Sequence, residues 1–206
     1  LKEELVLSPR SRRALSQISE AATRAGELAR QLLAFARGGK YQPEAIDLNK
    51  VVNETLSIHQ ASLRAGIDWE QNIERDLWPV YADPSQMSQV ILNVLLNAVE
   101  SIEDDGKVTI ESSNLEIRKQ EKAAMPPGRY VVLSVKDTGC GMDEETRSRM
   151  FDPFFTTKFH GRGLGMAAVF GITRNHSGRI NVTSEVEKGT RVDIYIPAAE
   201  EERVQG

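Results

Sequence analysis

Apolar residues recur along the 206-residue chain with two different periods, and the switches between them mark out its elements. Leu15, Ile18, Ala22, Ala25, Ala29, Leu32 and Ala36 step alternately by three and four, the seam of a long bundle-forming helix. Ala21, Leu28 and Phe35 widen that stripe beyond a two-stranded seam, and Gly38-Gly39 followed by Pro43 ends it. A second helical stripe, with Leu48, Val52, Leu56 and Leu63, occupies residues 48–65, and IDWEQNI and WPVYA read as two short strands. Asp83-Pro84-Ser85-Gln86 combines an N-cap, a proline at the first helical position and a capping-box glutamine, so a helix is predicted from Pro84 to about Ile102. KVTIESSNLEI and RYVVLSVKD read as strands, the second ending on Asp137, and GRINVTSEV pairs with GTRVDIYIP around Lys188-Gly189. Hairpins and separate helices, without strict βαβ alternation, predict an α+β fold: a two-layer α/β sandwich with a mixed sheet packed on helices, preceded by the bundle helix.

Three stretches carry candidate chemistry. On the helix from Pro84, Met87, Val90, Ile91, Val94, Leu95, Ala98 and Ile102 form the apolar stripe, while Gln86, Gln89, Asn93, Asn97 and Glu100 share another face. Asparagine is a poor helix former that contributes little unless its amide has a partner, so this face points to a polar ligand, with a covering loop as the alternative. An amide oxygen is a hard neutral ligand suited to Mg²⁺, which takes few protein ligands beside substrate phosphates. KDTGCGM sets Asp137 at a strand end before two glycines, a turn where backbone approaches a ligand closely; an ionised Asp accepts hydrogen bonds and suits an exocyclic amino group such as that of adenine. Cys140, between those glycines, reads as an incidental small residue.

The third stretch, GLGMAA from Gly163 to Ala168, matches a dinucleotide-binding G-x-G-x-x-A, with Glu185 and Glu187 about twenty residues further on. That reading requires a strand running into the glycines, and MFDPFFTTKFHGR is instead an aromatic, proline-broken loop. What remains is Gly161, Gly163 and Gly165 opening a helix N-terminus, an anion site, with Lys158 and Arg162 upstream to add charge near a polyphosphate.

Composition narrows the class. With 40% hydrophobic and 27% charged residues the chain is that of a globular protein, and no stretch approaches the roughly 18 consecutive apolar residues of a membrane span, so no membrane contact is expected of this segment. A single cysteine rules out an internal disulfide and suits a reducing compartment; cytoplasm is the expected location. The net charge of −4 divides into +4 for residues 1–40, with eight Lys and Arg against four Asp and Glu, and −8 for the rest. Arginines at 10, 12, 13, 24, 30 and 37 lack aromatic interleaving, so they read as a solvated helix face and no nucleic acid is expected as partner.

Taken in order, QVILNVLLNAVESI, DTGCGM, FDPFFTTK and GRGLGMAAVFGI resemble the N box, first glycine box, phenylalanine box and second glycine box of the ATP-binding catalytic domain of sensor histidine kinases. That superfamily also includes gyrase, the mismatch-repair ATPases and a heat-shock chaperone. The resemblance covers roughly residues 41–197, and ISEAATRAGELARQLLAFAR resembles the second helix of the family's dimerisation and phosphotransfer hairpin. It implies a partial hairpin segment at 1–40, an ATP-binding domain at 41–200 and a tail at 201–206. It further implies that Asn97 ligates Mg²⁺ with Asn93 nearby, that Asp137 accepts from the adenine amino group, and that Gly139 and Gly141 shape its turn. The segment from about Met142 to Arg162 becomes a mobile lid, with Lys158 and Arg162 near the phosphates and Gly163, Leu164 and Gly165 at the helix N-terminus beneath them. Asn93 and Lys158 are the implied catalytic residues.

Two departures from the family pattern shape the expected function. In the ATP-hydrolysing relatives a glutamate one turn before the Mg²⁺ asparagine activates water; here Asn93 stands there, and an amide is no general base at neutral pH. Slow hydrolysis and transfer of the γ-phosphoryl to a protein acceptor are therefore expected, the alternatives being an ATP-hydrolysing member or a non-catalytic nucleotide-sensing scaffold. The family's acceptor histidine is typically followed by an acidic residue, whereas His59, His160 and His176 precede Gln60, Gly161 and Ser177; they read as a core-edge histidine and two ordinary loop or helix-end residues. The acceptor is expected upstream of this chain, in a homodimeric parent kinase whose phosphoacceptor helix and response-regulator receiver domain are the implied partners.

Overall fold

The computed structural model describes residues 41–59, 66–118, 125–158 and 163–199. The bundle helix with the rest of 1–40, the end of the second helical stripe including Leu63, Gly161, His160, Arg162 and the tail at 201–206 lie outside them.

The central element is the helix α2 (Pro84–Ser101), with Asp83 as its N-cap. Asp83 Oδ1 accepts from the N–H groups of Ser85 (2.9 Å) and Gln86 (3.1 Å), satisfying donors that the first turn leaves without helical partners. Burial works to raise the Asp83 pKa, but bonds from Ser85, Gln42 and Gln86 outweigh it and hold the carboxyl below its ordinary range. The predicted capping box does not close. Asp83 N–H donates to His176 Nε2 at 3.1 Å, and Gln86 Oε1 is buried without a partner. His176, expected as an ordinary residue, is 5% exposed, and its Nδ1 lies 2.8 Å from Ile172 O. These partners assign the ring proton to Nδ1, and the imidazole ties the end of one helix to the start of another.

The hydrophobic stripe of α2 faces a five-stranded mixed sheet in the order β2-β4-β5-β7-β6, built from β2 (Ile67–Ile73), β4 (Gly106–Ile117), β5 (Gly128–Asp137), β6 (Arg179–Glu185) and β7 (Gly189–Pro197). Only β2 and β4 run parallel; the other neighbours are antiparallel. Register places Ile110 beside Val135, Val135 beside Val192 and Leu133 beside Ile194. These side chains share one face by strand alternation and pack with Met87, Val90, Ile91, Val94 and Leu95 in the core. The opposite face is polar: Arg191 is held by Glu111 and Asp193, each at 2.7 Å, and Ser134 donates to Asp193 at 2.6 Å.

Helices α1 (Leu48–His59) and α4 (Gly165–Asn175) flank α2, and the short helix α3 (Glu144–Arg149) precedes the aromatic loop. The three-residue strands β1 (Glu44–Ile46) and β3 (Val80–Ala82) form a separate antiparallel ribbon. Helices on one face of a mixed sheet make this the two-layer α/β sandwich the hydrophobic pattern predicts. Among the described residues no helix is long and apolar enough to cross a membrane.

Candidate functional site

Helix α2 carries the site along one side. Asn93, Asn97 and Ser101 recur every fourth residue, so their side chains stack on one face over about 12 Å of helix. Both asparagines are half-buried. Asn93 faces the start of α4: a side-chain carbon built on Gly165 would stand 3.7 Å from Asn93 Oδ1. Asn97 Oδ1 lies 3.5 Å from Lys158 Nζ, which also pairs with Glu100 Oε2 at 2.8 Å. Lys158 reaches the helix from the aromatic loop, so one cation stands beside the amide read as a metal ligand.

At the other end of the stripe, Ser101 meets Asp137. The carboxylate is 5% exposed at the end of β5, and its Oδ1 accepts from Gly139 N–H (2.8 Å), Ser101 Oγ–H (3.0 Å) and Thr190 N–H (3.2 Å). None of these bonds uses Oδ2. Burial raises the Asp137 pKa above its ordinary value, against the opposing pull of the Gly139, Ser101 and Thr190 hydrogen bonds and the Lys158 charge.

The glycines after Asp137 are required by the packing of the chain itself. A side-chain carbon on Gly139 would overlap Ser101 Oγ and stand 2.6 Å from Ser101 O. Gly141 has φ of +65°, and a side-chain carbon there would overlap the Glu185 carbonyl oxygen. The closeness permits two bonds that seat the turn, Cys140 N–H to Ser101 O (2.9 Å) and Glu187 N–H to Cys140 O (2.8 Å). Cys140 itself is exposed.

Among the described residues no strand leads into Gly163: residues 150–158 form turns and irregular backbone, so the dinucleotide fingerprint lacks its required context there. Gly163 has φ of +63°, and its carbonyl accepts from Phe154 N–H at 2.8 Å. A side-chain carbon on it would stand 2.5 Å from Phe155 O, so this glycine closes the aromatic loop onto the start of α4. Leu164 is the N-cap and gives no side-chain capping bond, while Ala168 N–H is the first to reach back along the helix, to Leu164 O. The amide donors before it are oriented for an anion, reinforced by the helix dipole. The segment expected as a lid begins with α3, capped by Asp143, and its Phe151 ring packs 5.3 Å from that of Phe170 on α4.

The structure thus brings Asn93 to Gly165, Asn97 to Lys158, and Asp137 to the far end of the same helix. Two residues absent from the sequence reading, Ser101 and Thr190, orient Asp137. Ser101 was legible as the next member of the four-residue spacing of Asn93 and Asn97; Thr190 depends on the β5–β7 register and leaves no local signal. Among the described residues no group of three His, Cys, Asp or Glu is arranged to hold a metal. An ion bound through Asn97 would take its remaining ligands from phosphate oxygens and water, which fits a single neutral, half-buried amide oxygen.

Residues 82–200 match the family model described as histidine kinase-, DNA gyrase B-, and HSP90-like ATPase. The chain is similar to the sensor kinase CckA of Brucella abortus, at 37% identity over 92% of this chain and 20% of the relative. It is also similar to the signal transduction histidine-protein kinase AtoS of Escherichia coli, at 36% identity over 81% of this chain and 26% of AtoS. It therefore spans about a fifth to a quarter of the length of these relatives. Among solved structures, the catalytic domain of histidine kinase ThkA aligns with a TM-score of 0.63 and 28% identity, covering 76% of this chain and 96% of that domain. Full-length ShkA in complex with AMPPNP aligns with a TM-score of 0.72 and 25% identity, over 96% of this chain and 41% of ShkA.

Proposed function

The chain belongs to the histidine kinase-, DNA gyrase B- and HSP90-like ATPase family, and on that footing we propose that it is the ATP-binding kinase domain of a two-component sensor histidine kinase. Residues 41–200 bind ATP, and 1–40 supply one helix of the dimerisation hairpin of a homodimeric, cytoplasmically facing kinase module. The observation that carries the reading is the stripe Asn93, Asn97 and Ser101, which joins a buried carboxylate at one end to an uncapped helix N-terminus at the other, with Lys158 beside Asn97 between them.

In this reading Asp137 Oδ2 accepts from the adenine amino group, and the turn through Gly139 and Gly141 holds the carboxylate in place. The phosphates lie at Gly163, Leu164 and Gly165, with Arg162 and Lys158 adding positive charge and Asn93 donating an amide hydrogen bond. Asn97 holds Mg²⁺, which supplies charge neutralisation at the phosphate oxygens. Support comes from the sensor kinases among its relatives and from ShkA, a similar protein solved with the nucleotide analogue AMPPNP.

The γ-phosphoryl passes to an imidazole nitrogen of a histidine on the partner hairpin helix and leaves ADP; a response-regulator aspartate is the next acceptor. Asn93 occupies the position where the hydrolases carry glutamate and an amide is no general base, so catalysis rests on alignment and charge neutralisation. His176 is unsuited as the acceptor because it is buried and both ring nitrogens are engaged.

Incubating this chain with Mg²⁺-ATP and a separately made phosphoacceptor helix of the parent protein is expected to leave acid-labile phosphate on that helix. Steady release of inorganic phosphate without labelling would replace the kinase reading with that of an ATP hydrolase.

A further inference from the structure

We infer that Ser101 is a positioning residue for base recognition: it helps fill one oxygen of the Asp137 carboxylate so that only the other oxygen is presented to the nucleobase. The inference rests on the proposed adenine contact of Asp137 and goes one residue further.

Ser101 is the last residue of α2, and its hydroxyl lies 2.7 Å from Ala98 O and 3.0 Å from Asp137 Oδ1. One hydroxyl carries one proton. At the end of the helix Ile102 N–H reaches Val99 O at 3.3 Å, a tighter turn than the regular helical bond. The Ser101 hydroxyl can rest on Ala98 O or donate to the carboxylate. The other two donors to Oδ1, Gly139 and Thr190, are backbone N–H groups held by a turn and by strand register, so Ser101 supplies the only side-chain donor of the three. With the hydroxyl turned to the carboxylate, three donors on Oδ1 set the rotation of the carboxyl plane and direct the lone pairs of Oδ2 outward. Removing the hydroxyl leaves two donors, and the plane gains freedom that a single amino-group contact on Oδ2 must then restrict.

Contact with Gly139 makes Ser101 equally a packing residue, so affinity for ATP alone does not separate the roles. Purine riboside triphosphate, which lacks the 6-amino group, does. Calorimetric dissociation constants for ATP and for this analogue, each with Mg²⁺, give a preference ratio for wild type and Ser101→Ala. The ratio is expected to fall about 3- to 10-fold in Ser101→Ala, through weaker ATP binding at nearly constant analogue affinity, the scale of one oriented hydrogen bond. Equal loss on both ligands, or an unchanged ratio, would overturn the positioning role and leave Asp137 as the base acceptor. A ratio near one already in wild type would overturn the Asp137 reading and the inference together.

Discussion

The two ends of the candidate site are built from different materials. At the Asp137 end, the fixed groups are backbone: two N–H donors hold the carboxylate, and a glycine turn is bonded to the last carbonyl of α2 and to the β6–β7 turn. Further along the same face, the residues are half-buried side chains, Asn93, Asn97 and Lys158, leading to the backbone N-terminus of α4, where the described loop is tied by the Phe154–Gly163 bond. A base is rigid and of one shape, and a site for it is well served by backbone that cannot rotate. Phosphates and a metal change coordination during transfer, and long side chains follow that change at little cost to the fold.

The largest expected effect comes from breaking the backbone-built end. Gly141→Ala forces a side-chain carbon into the Glu185 carbonyl at positive φ, and chemical unfolding is expected to show a loss of about 2–5 kcal/mol, strain and overpacking together. A variant as stable as the wild type would mean that the turn is not close-packed.

Asp137→Asn sharpens the comparison without cutting the turn, and calorimetry is expected to show ATP binding about 10- to 150-fold weaker, the worth of one charge-assisted hydrogen bond. The pH dependence carries a sign. The folded pKa of Asp137 lies above its unfolded value of 3.8, so the folded state holds this proton more tightly. Its contribution to stability is present below the unfolded value and is lost as pH rises through the raised folded one. In the proposed function nucleotide binding runs the other way, because the ionised carboxylate would be the acceptor: affinity is expected to decline on acidification at a higher pH than an ordinary aspartate would impose. Asp137→Asn should lack both trends, and a wild-type acid limb retained in that variant would assign the titration to another group.

The same division explains what the sequence disclosed. The bounds of α2, the end of β5 at Asp137 and the hairpin at Gly189 follow from capping residues and periodicity, which act over a few positions. The failures are long-range. Gln86 satisfies the capping-box pattern, yet His176, ninety-three residues after Asp83, takes the bond it should have made. Gly139 and Gly141 signal close approach, but the partner, protein or ligand, is not written locally. Thr190 reaches Asp137 only because β7 pairs with β5 in one particular register. Strand β1 and helix α3 are too short for periodicity to reveal, whereas β3 is legible within WPVYA.

That one ATP spans both ends, with its metal at Asn97, is the central claim, and Mg²⁺ dependence tests it most directly at the end where the smallest structural disturbance is expected. ATP and adenosine are titrated calorimetrically into wild type and Asn97→Ala, with and without Mg²⁺, beside unfolding curves for both proteins. The expected result is that Mg²⁺ strengthens binding of ATP but not of adenosine, that Asn97→Ala abolishes this gain, and that its stability stays within about 0.5 kcal/mol of wild type, as for a substitution outside the core. A Mg²⁺ gain that persists in Asn97→Ala, or one that extends to adenosine, would contradict the account.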